Sequence, residues 1–187
     1  NTAVIWSQNT TKPYKGFDKG RQWNMEVRDM ERLRQQMPEL DVITPLLFGG
    51  RKTVVFGDKK FSGSTQGVNA DYAEVSAPKL FYGRYINEMD VKQQRKVCFI
   101  GEQIYKNLFP GGGDPCGKSL RVDSTYYTVV GVDYRSGNGV NFGGRADETI
   151  TLPQSVLRTA YNRGNAVDII AVTGHQGVVM SSITDRM

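Results

Sequence analysis

Apolar residues recur at every third or fourth position along one early segment of the chain, with charged residues between them. The apolar members of this segment are Trp23, Val27, Met30, Leu33 and Met37. This spacing places side chains on one face of an α-helix, and the proline that follows at position 38 ends the helix. The pattern therefore predicts an amphipathic helix over residues 23–37 whose apolar face packs against a core.

Short runs rich in β-branched and aromatic residues flank this helix and predict strands. The first strand is predicted at residues 3–8, and three more are predicted as a meander. The meander strands span residues 42–48, 52–56 and 60–68. Gly49-Gly50 and Gly57-Asp58 are two-residue sequences typical of hairpin turns, so each is predicted to join two of these strands.

The rest of the chain mixes strands and helices without an internal repeat. A turn or short helix is predicted at 71–75, and a loop rich in glycine and asparagine at 136–145. Further strands are predicted at 96–100, 119–122, 126–132, 148–152 and 167–173, and helices at 102–108, 154–161 and from 178 onward. In helix 102–108, Ile104, Tyr105 and Leu108 are predicted to point inward. Since hairpins are mixed with only a few helix crossovers, the predicted class is α+β with mixed sheets, rather than a doubly wound parallel sheet.

Composition fits one sizeable domain or two small ones. The 187 residues are 39% hydrophobic and 23% charged, which excludes a disordered chain. No apolar run approaches the roughly 20 residues of a membrane-spanning helix. The net charge of +5 comes from short basic groups separated by acids, without a nucleic-acid-binding signature, so no nucleic-acid partner is predicted. A solvated basic surface, facing solvent or anionic lipid headgroups, is the simpler interpretation.

The octapeptide at residues 112–119 matches the phosphate-binding pattern Gly-x-x-x-x-Gly-Lys-Ser. That chemistry needs a helix after the loop, whose first amides and dipole favour the phosphate. Here a predicted hairpin follows instead, and Pro115 removes one amide donor from the loop. The sequence therefore favours a connection between helix and hairpin, and a nucleotide-binding enzyme that uses this loop is the weaker alternative.

Candidate catalytic, cofactor-binding and metal-binding residues are scarce. His175 is the only histidine, too few for a zinc site or for a convincing base beside a nucleophile. The carboxylates adjoin turns, where such side chains bond local backbone amides, and no spacing singles out an acid–base pair. Gly137-x-Gly139 lacks the third glycine of a dinucleotide site and precedes a strand. We therefore predict no catalytic residue, no cofactor and no metal.

Several segments carry a family resemblance by their order and spacing. They are GRYINEMD at 83–90, KVCFIG at 96–101, Leu108-Phe109, DPCGK at 114–118 and YTVVGV at 127–132, with weaker matches at 66–72 and 150–153. Together they resemble the extracytoplasmic core domain of MacB-like ABC transporter permeases, a group that includes FtsX-like and lipoprotein-exporting permeases. Two departures are Cys116, where the family usually has an aliphatic residue, and the glycines at 111–113, which lengthen the loop.

The resemblance implies a set of structural signature residues rather than an active site. They are Gly83, Arg84, Asp90, Gly101, Leu108, Phe109, Gly117, Val130, Gly131 and Pro153. Arg84 has two interpretations: it meets an anionic partner, or it pairs with Asp90 or a carbonyl and fixes the turn after Gly83. The structural interpretation is favoured, because the Gly-Arg pair marks the fold in permeases with unlike cargo.

The resemblance also implies two subdomains and a mechanical function. A membrane-proximal subdomain is expected from residues 1–67 and 154–187, with a small α/β subdomain at 68–153 inserted into it. The chain is expected on the periplasmic or extracytoplasmic face of the cell membrane, anchored by flanking transmembrane helices outside these residues. Expected partners are a cognate cytoplasmic ATPase, a second permease copy and a periplasmic or outer-membrane protein. The alternative is a free-standing secreted protein-binding module without an ATPase.

Cys98 and Cys116 are the two cysteines, and two interpretations remain open for them. An extracytoplasmic compartment permits a disulfide, and the hairpin after Cys116 could return beside the strand that carries Cys98. Against this, the apolar neighbours of Cys98 are typical of a small buried core residue. The sequence alone does not give the distance between the two Cα atoms.

Overall fold

The structure is a computed structural model that describes residues 2–6, 8–9, 22–23, 25–134 and 144–174, with side chains from Glu26 onward. His175, most of the predicted loop at 136–145 and the helix predicted from 178 lie outside the described residues. The chain forms an α+β fold, as the sequence predicts.

The strands occur both before and after the short helices. They are β1 (Thr2–Trp6), β2 (Gln8–Asn9), β3 (Gln22–Trp23), β4 (Met25–Glu26), β5 (Leu40–Phe56), β6 (Lys59–Val68), β7 (Leu80–Gly83), β8 (Val97–Gly101), β9 (Ser119–Val122), β10 (Thr125–Asp133), β11 (Thr149–Pro153), β12 (Ala166–Val167) and β13 (Ile169–Gly174). The predicted hairpin after the octapeptide is confirmed, because β9 and β10 are joined by a tight turn and pair antiparallel.

Five α-helices are described, together with two 3-10 turns at Ala70–Tyr72 and Ala146–Glu148. The helices are α1 (Val27–Gln36), α2 (Ala73–Ser76), α3 (Glu88–Lys92), α4 (Glu102–Leu108) and α5 (Gln154–Ala160). The helix predicted at 102–108 is confirmed, and its three predicted inward residues are all buried. No described helix is long and apolar enough to cross a membrane.

The first helix begins later than its apolar spacing predicts. Residues 22–23 and 25–26 are short strands, and α1 starts at Val27. The backbone amide of Glu26 donates to Asp29 Oδ2 at 2.8 Å, as part of a reciprocal capping box that satisfies amides at the helix end. This cap fixes the start of the helix, so the prediction that the helix includes Trp23 is wrong.

Of the two hairpin turns predicted in the meander, the second is confirmed and the first is wrong. Gly57-Asp58 joins β5 to β6, but Gly49-Gly50 lies inside the single long strand β5. The register between β5 and β6 shifts between Phe48 and Gly50, so the first glycine forms a bulge opposite Thr65. A bulge inserts one residue and bends the strand without ending it.

Nine described strands form one sheet, in the order β1-β13-β5-β6-β11-β8-β10-β7, with β9 beside β10. Strand β9 also pairs with the far end of β5, where Val54 lies opposite Val122. This pairing closes β5, β6, β11, β8, β10 and β9 into a ring, and the rest of β5 continues into an open sheet with β13 and β1. Ring closure gives every strand in the ring a neighbour on both sides.

Three apolar clusters stabilise this arrangement. The first lies inside the ring and includes Ile100, Leu120 and Ile150. The second lies between α1 and the open part of the sheet, and the third lies on the opposite face. Alternation along β13 explains the last two clusters, because Ile170 and Val172 join the second whereas Ile169 and Ala171 join the third.

Candidate functional site: the Gly83–Asp90 clamp

The centre of the candidate site is a close contact between two backbone segments. Gly83 at the end of β7 pairs with Gly131 on β10. A Cβ atom at Gly83 would lie 1.9 Å from the carbonyl oxygen of Val130, and one at Gly131 would lie 2.1 Å from the carbonyl oxygen of Arg84. Gly83 also has φ of +67°, which side chains disfavour. Only glycine at both positions allows this approach.

The close contact positions Arg84, whose backbone amide donates to Val130 O at 2.9 Å. The Arg84 guanidinium then reaches the start of α3. It donates from Nη1 to Asp90 Oδ2 at 2.7 Å, from Nη2 to Asp90 Oδ1 at 3.1 Å, and from Nη1 to Tyr85 O at 3.0 Å. Arg84 therefore bonds both a carboxylate and a carbonyl, as the structural interpretation of this residue proposed.

Asp90 also caps α3. Its backbone amide donates to Asn87 Oδ1 and its Oδ2 accepts from the Asn87 amide, both at 2.9 Å. Arg95 Nη1 lies 3.5 Å from Asp90 Oδ1. We call Gly83, Arg84, Asn87, Asp90 and Arg95 the clamp, because together they hold the end of β7 to the first turn of α3.

Electrostatics in the clamp favour the charged form of Asp90, whose side chain is 0% exposed. Burial by itself raises the pKa of this carboxyl. The hydrogen bonds from Arg84 and from the Asn87 amide, with the positive charges of Arg84 and Arg95, outweigh burial and hold the pKa below its usual value. Arg84, Arg95 and the Asn87 amide thus together compensate the buried charge of Asp90.

The sequence predicted Arg84 and Asp90 but missed Asn87 and Arg95. A signal for Asn87 was present, since an Asn three residues before an Asp has the spacing of a capping box. Arg95 carried no comparable signal, because its contact with Asp90 depends on the turn after α3, where the Arg95 amide donates to Asp90 O.

The structure brings some of the other predicted signature residues to the clamp and leaves others apart. Val130 and Gly131 border it, and the amide of Gly117 donates to the neighbouring Val129 O. Leu108 is buried inside the ring, and Phe109 packs against Phe56 with ring centroids 4.5 Å apart and the rings tilted. Two more lie at turns away from the clamp: Gly101 begins α4 against Ala146 O, and Pro153 begins α5.

The phosphate-loop octapeptide uses its amides within the protein. Cys116 N donates to Asp114 Oδ1 at 2.9 Å, Gly117 N donates to Val129 O at 2.9 Å, and Lys118 N donates to Pro115 O at 3.0 Å. The hydrogen bond from the Cys116 amide also lowers the pKa of Asp114, which keeps a negative charge in the loop. Strand β9, not a helix, follows. This geometry offers a phosphate neither a cradle nor a dipole.

The two cysteines are free thiols in the structure, and strand β10 separates them. Cys98 on β8 pairs with Val129 along one edge of β10, while Gly117 bonds Val129 along the other edge. Two segments on either side of one strand lie about 9–10 Å apart, beyond the roughly 7 Å between Cα atoms that a disulfide spans. Cys98 is fully buried, which matches the core-residue interpretation.

Among the described residues, no cluster of three or more His, Cys, Asp or Glu side chains could hold a metal ion. Among the carboxylates that the sequence placed beside turns, Asp71 makes a structural bond, in which its Oδ1 accepts from Thr44 Oγ1 at 2.6 Å. Asp123, in the β9–β10 turn, accepts from the Tyr161 hydroxyl at 3.1 Å. These two carboxylates thus connect separate elements of the fold.

A clamp of structural residues on an α+β sheet fits the extracytoplasmic domain of a transporter permease. The sequence matches the family described as MacB-like periplasmic core domain over residues 1–187. The chain belongs to this family. It is therefore a periplasmic domain of a MacB-type permease, and it is not the catalytic domain of such a transporter.

Similar proteins support this assignment. The macrolide export ATP-binding/permease protein MacB of Syntrophobacter fumaroxidans is 26% identical over 176 residues, which are 91% of this chain and 23% of that protein. The protein of the same name from Chlorobaculum tepidum is 31% identical over 83 residues, 44% of this chain and 13% of that protein. The chain thus spans less than a quarter of the length of these curated relatives.

Two solved structures share the fold. One is the periplasmic region of MacB from Actinobacillus actinomycetemcomitans, with a TM-score of 0.78, 22% identity, and coverage of 100% of this chain and 80% of that chain. The other is the extracellular domain of the noncanonic ABC-type transporter YknZ from Gram-positive bacteria, with a TM-score of 0.76, 16% identity, and coverage of 97% and 88%.

Proposed function

We propose that this domain couples ATP hydrolysis on the cytoplasmic side to movement outside the membrane. A cognate ATPase subunit or domain hydrolyses ATP, and transmembrane helices that flank this domain in the full protein carry the motion outward. The similarity to ATP-binding/permease proteins supports an ATPase partner. The movement exports cargo or activates a partner protein.

The observation that carries this proposal is the closed ring together with the clamp. A domain that transmits force must keep its shape while it moves, so its elements must be bonded on more than one side. Strand β5 supplies this stiffness, since it runs from the open sheet into the ring and pairs with β13, β6 and β9. The clamp adds an ion pair between the end of β7 and α3, in which the Asp90 carboxylate is buried.

We further propose that residues 1–67 and 154–187 form a membrane-proximal subdomain and residues 68–153 an inserted subdomain. The first boundary falls at the end of β6 and the second at the junction of β11 and α5. Strands β6 and β11 pair in parallel from Ser64 and Thr149 to Val68 and Pro153. This paired segment, together with the pairing of β5 with β9, is where motion of one subdomain would pass to the other.

The partners in this proposal are the ATPase, a second copy of the permease and a periplasmic or outer-membrane protein. The macrolides in the names of the relatives are a candidate cargo class only by similarity. Stable contacts between mobile domains of this kind tend to be small and polar, so most of the assembly energy would come from the membrane region and the ATPase.

The proposal is tested with the full-length gene product, tagged by an epitope inserted between Gly57 and Asp58 at the exposed tip of the β5–β6 hairpin. The tagged protein should remain in the membrane after an alkaline carbonate wash, should bind an antibody from the extracytoplasmic side only, and should copurify with an ATPase. Release by the wash would instead support a free-standing secreted module. An epitope reachable only from the cytoplasm would contradict both functions.

A further inference from the structure

Buried polar residues are concentrated around one small internal cavity. The cavity lies where β6 and β11 meet the ends of β8 and β10, and it has ≈ 10 Å³ of room for the centre of a water molecule. Its polar lining consists of Gln66, Ser76, Asp133, Thr149 and Thr151, all of them buried. A cavity with this lining differs from the three apolar clusters of the core.

Gln66 supplies the unsatisfied group in this lining. The side chain is 6% exposed, and its Nε2 donates to Thr151 Oγ1 at 3.0 Å. Its Oε1 is buried and has no hydrogen-bond partner among the described residues. If the amide group of Gln66 is rotated by 180°, Oε1 accepts from the Thr151 hydroxyl and Nε2 becomes the atom without a partner. Either orientation leaves one strong polar atom without a partner, which native interiors rarely tolerate.

We infer that the cavity binds one water molecule, which hydrogen-bonds the free amide atom of Gln66. The room available matches the roughly 10–15 Å³ that one water needs, and a buried water requires two to four polar partners. Thr151 Oγ1 already accepts from Gln66, so its hydroxyl proton can point to the water. The carboxylate of Asp133, whose Oδ1 accepts from Lys79 N at 3.0 Å, has further lone pairs that accept from the water.

This water connects elements that are distant in sequence. Gln66 is on β6, Thr151 is on β11 and Asp133 is at the end of β10. Strand β11 pairs with β8 at only two positions, Ile150 with Ile100 and Thr151 with Phe99. A bridging water beside this short pairing links the side chains of β6, β11 and β10. The inference rests on the cavity alone and does not depend on the proposed transport function.

A high-resolution crystal structure of the 187-residue chain tests the inference directly. We expect one ordered water within about 2.7–3.2 Å of the Gln66 amide and of at least one hydroxyl or carboxylate of the lining. An empty cavity, or a Gln66 side chain bonded to another protein group, would overturn the inference. So would a metal ion with several oxygen ligands at about 2.4 Å.

Oxygen-17 relaxation dispersion, which counts long-lived internal waters in solution, provides a second test. The double variant Gln66→Met/Thr151→Val should contain one long-lived water fewer than the wild type. Thr65→Val is the matched control, because Thr65 is also buried on β6 but donates to Gly50 O at 2.8 Å, away from the cavity. An unchanged count in the double variant, or an equal loss in the control, would contradict the assignment. If the double variant does not fold, the wild-type crystal structure still decides.

Discussion

Arg84 reaches in from the surface to neutralise Asp90, a residue that is completely buried. The Arg84 side chain is 42% exposed and that of Asp90 is 0% exposed, with 2.7 Å between Arg84 Nη1 and Asp90 Oδ2. The buried charge therefore depends on a partner that stays in contact with solvent. Removing the arginine leaves the carboxylate desolvated, and Arg95, at 3.5 Å, compensates it only in part.

For this reason we expect Arg84→Met to lower the free energy of unfolding by about 2 kcal/mol, less than the roughly 3–5 kcal/mol for a fully buried ion pair, because the Arg84 side chain is 42% exposed. Arg121→Met is the matched control, since Arg121 is exposed on β9, and its effect should stay within about 0.5 kcal/mol. Urea denaturation at neutral pH measures both. Equal effects of the two substitutions would show that the clamp does not stabilise the fold.

The clamp should also make stability depend on pH. The pKa of Asp90 is lower in the folded protein than its ordinary value of 3.8, so the stabilisation is fully present above that value. It is lost as the pH falls through the lowered folded pKa. The difference in unfolding free energy between the wild type and Asp90→Asn should thus be constant from pH 7 to about pH 5 and should shrink below pH 4. A difference that grows on acidification would contradict this assignment.

Gly83 is expected to tolerate no side chain. A Cβ there would overlap Val130 O and require a φ of +67°. We expect Gly83→Ala to cost at least about 3 kcal/mol, from steric overlap and backbone strain together. Gly111→Ala is the control, because a Cβ at Gly111 meets no atom within 4 Å. Thermal denaturation of the two variants compares them, and similar melting temperatures would refute the close-contact argument.

The sequence predicted the local elements well and the long-range contacts poorly. The helix at 102–108 and the hairpin at 119–132 follow from apolar spacing and turn residues, which act over a few positions. The closure of the ring by β9 and β5 joins Val122 to Val54, and no local pattern encodes such a pairing. The bulge in β5 was mistaken for a turn because two adjacent glycines fit either structure.

The same limit applies to the clamp. The family resemblance indicates Arg84 and Asp90 as signature residues, and their pairing is one of the interpretations of Arg84. Asp90 is a charged residue, however, and charged residues are seldom fully buried. Its burial follows from the packing of α3 and β7 around it. The contributions of Asn87 and Arg95 depend on the same packing.

The octapeptide at 112–119 is expected to bind no nucleotide. Calorimetry with ATP and Mg²⁺ should give no saturable heat, because the loop amides already donate to protein oxygens. Lys118 is exposed, so Lys118→Ala should shift the melting temperature by no more than about 1–2 °C. Saturable binding that disappears in this variant would restore the nucleotide-binding interpretation.

Both cysteines are expected to be free and to differ in reactivity. Burial, with the neighbouring Asp114, raises the pKa of Cys116 to about 11, and burial raises the pKa of Cys98 even further above its usual value. Native protein should react slowly with a thiol reagent at Cys116 and not at Cys98, because the thiolate is the reactive form. Unreduced protein in denaturant should show two free thiols. A count of zero free thiols would show that Cys98 and Cys116 form a disulfide. Strand β10, which separates them in the structure, would then have to move.

The central claim is that this domain moves when ATP is hydrolysed elsewhere, and electron–electron distance measurements between spin labels test it most directly. A single label at Tyr126→Cys, 60% exposed on β10, in a Cys116→Ser background reports the separation of two copies in the intact transporter. We expect the distance distribution to differ between the nucleotide-free state and the state trapped with an ATP analogue. When the nucleotide is removed, the distribution should return to that of the nucleotide-free state. An ATPase-deficient transporter that cannot bind nucleotide is the control and should show no change. The account would be contradicted if the labels on two copies showed no electron–electron coupling. It would also be contradicted if the distance distribution stayed unchanged in a transporter that is hydrolysing ATP.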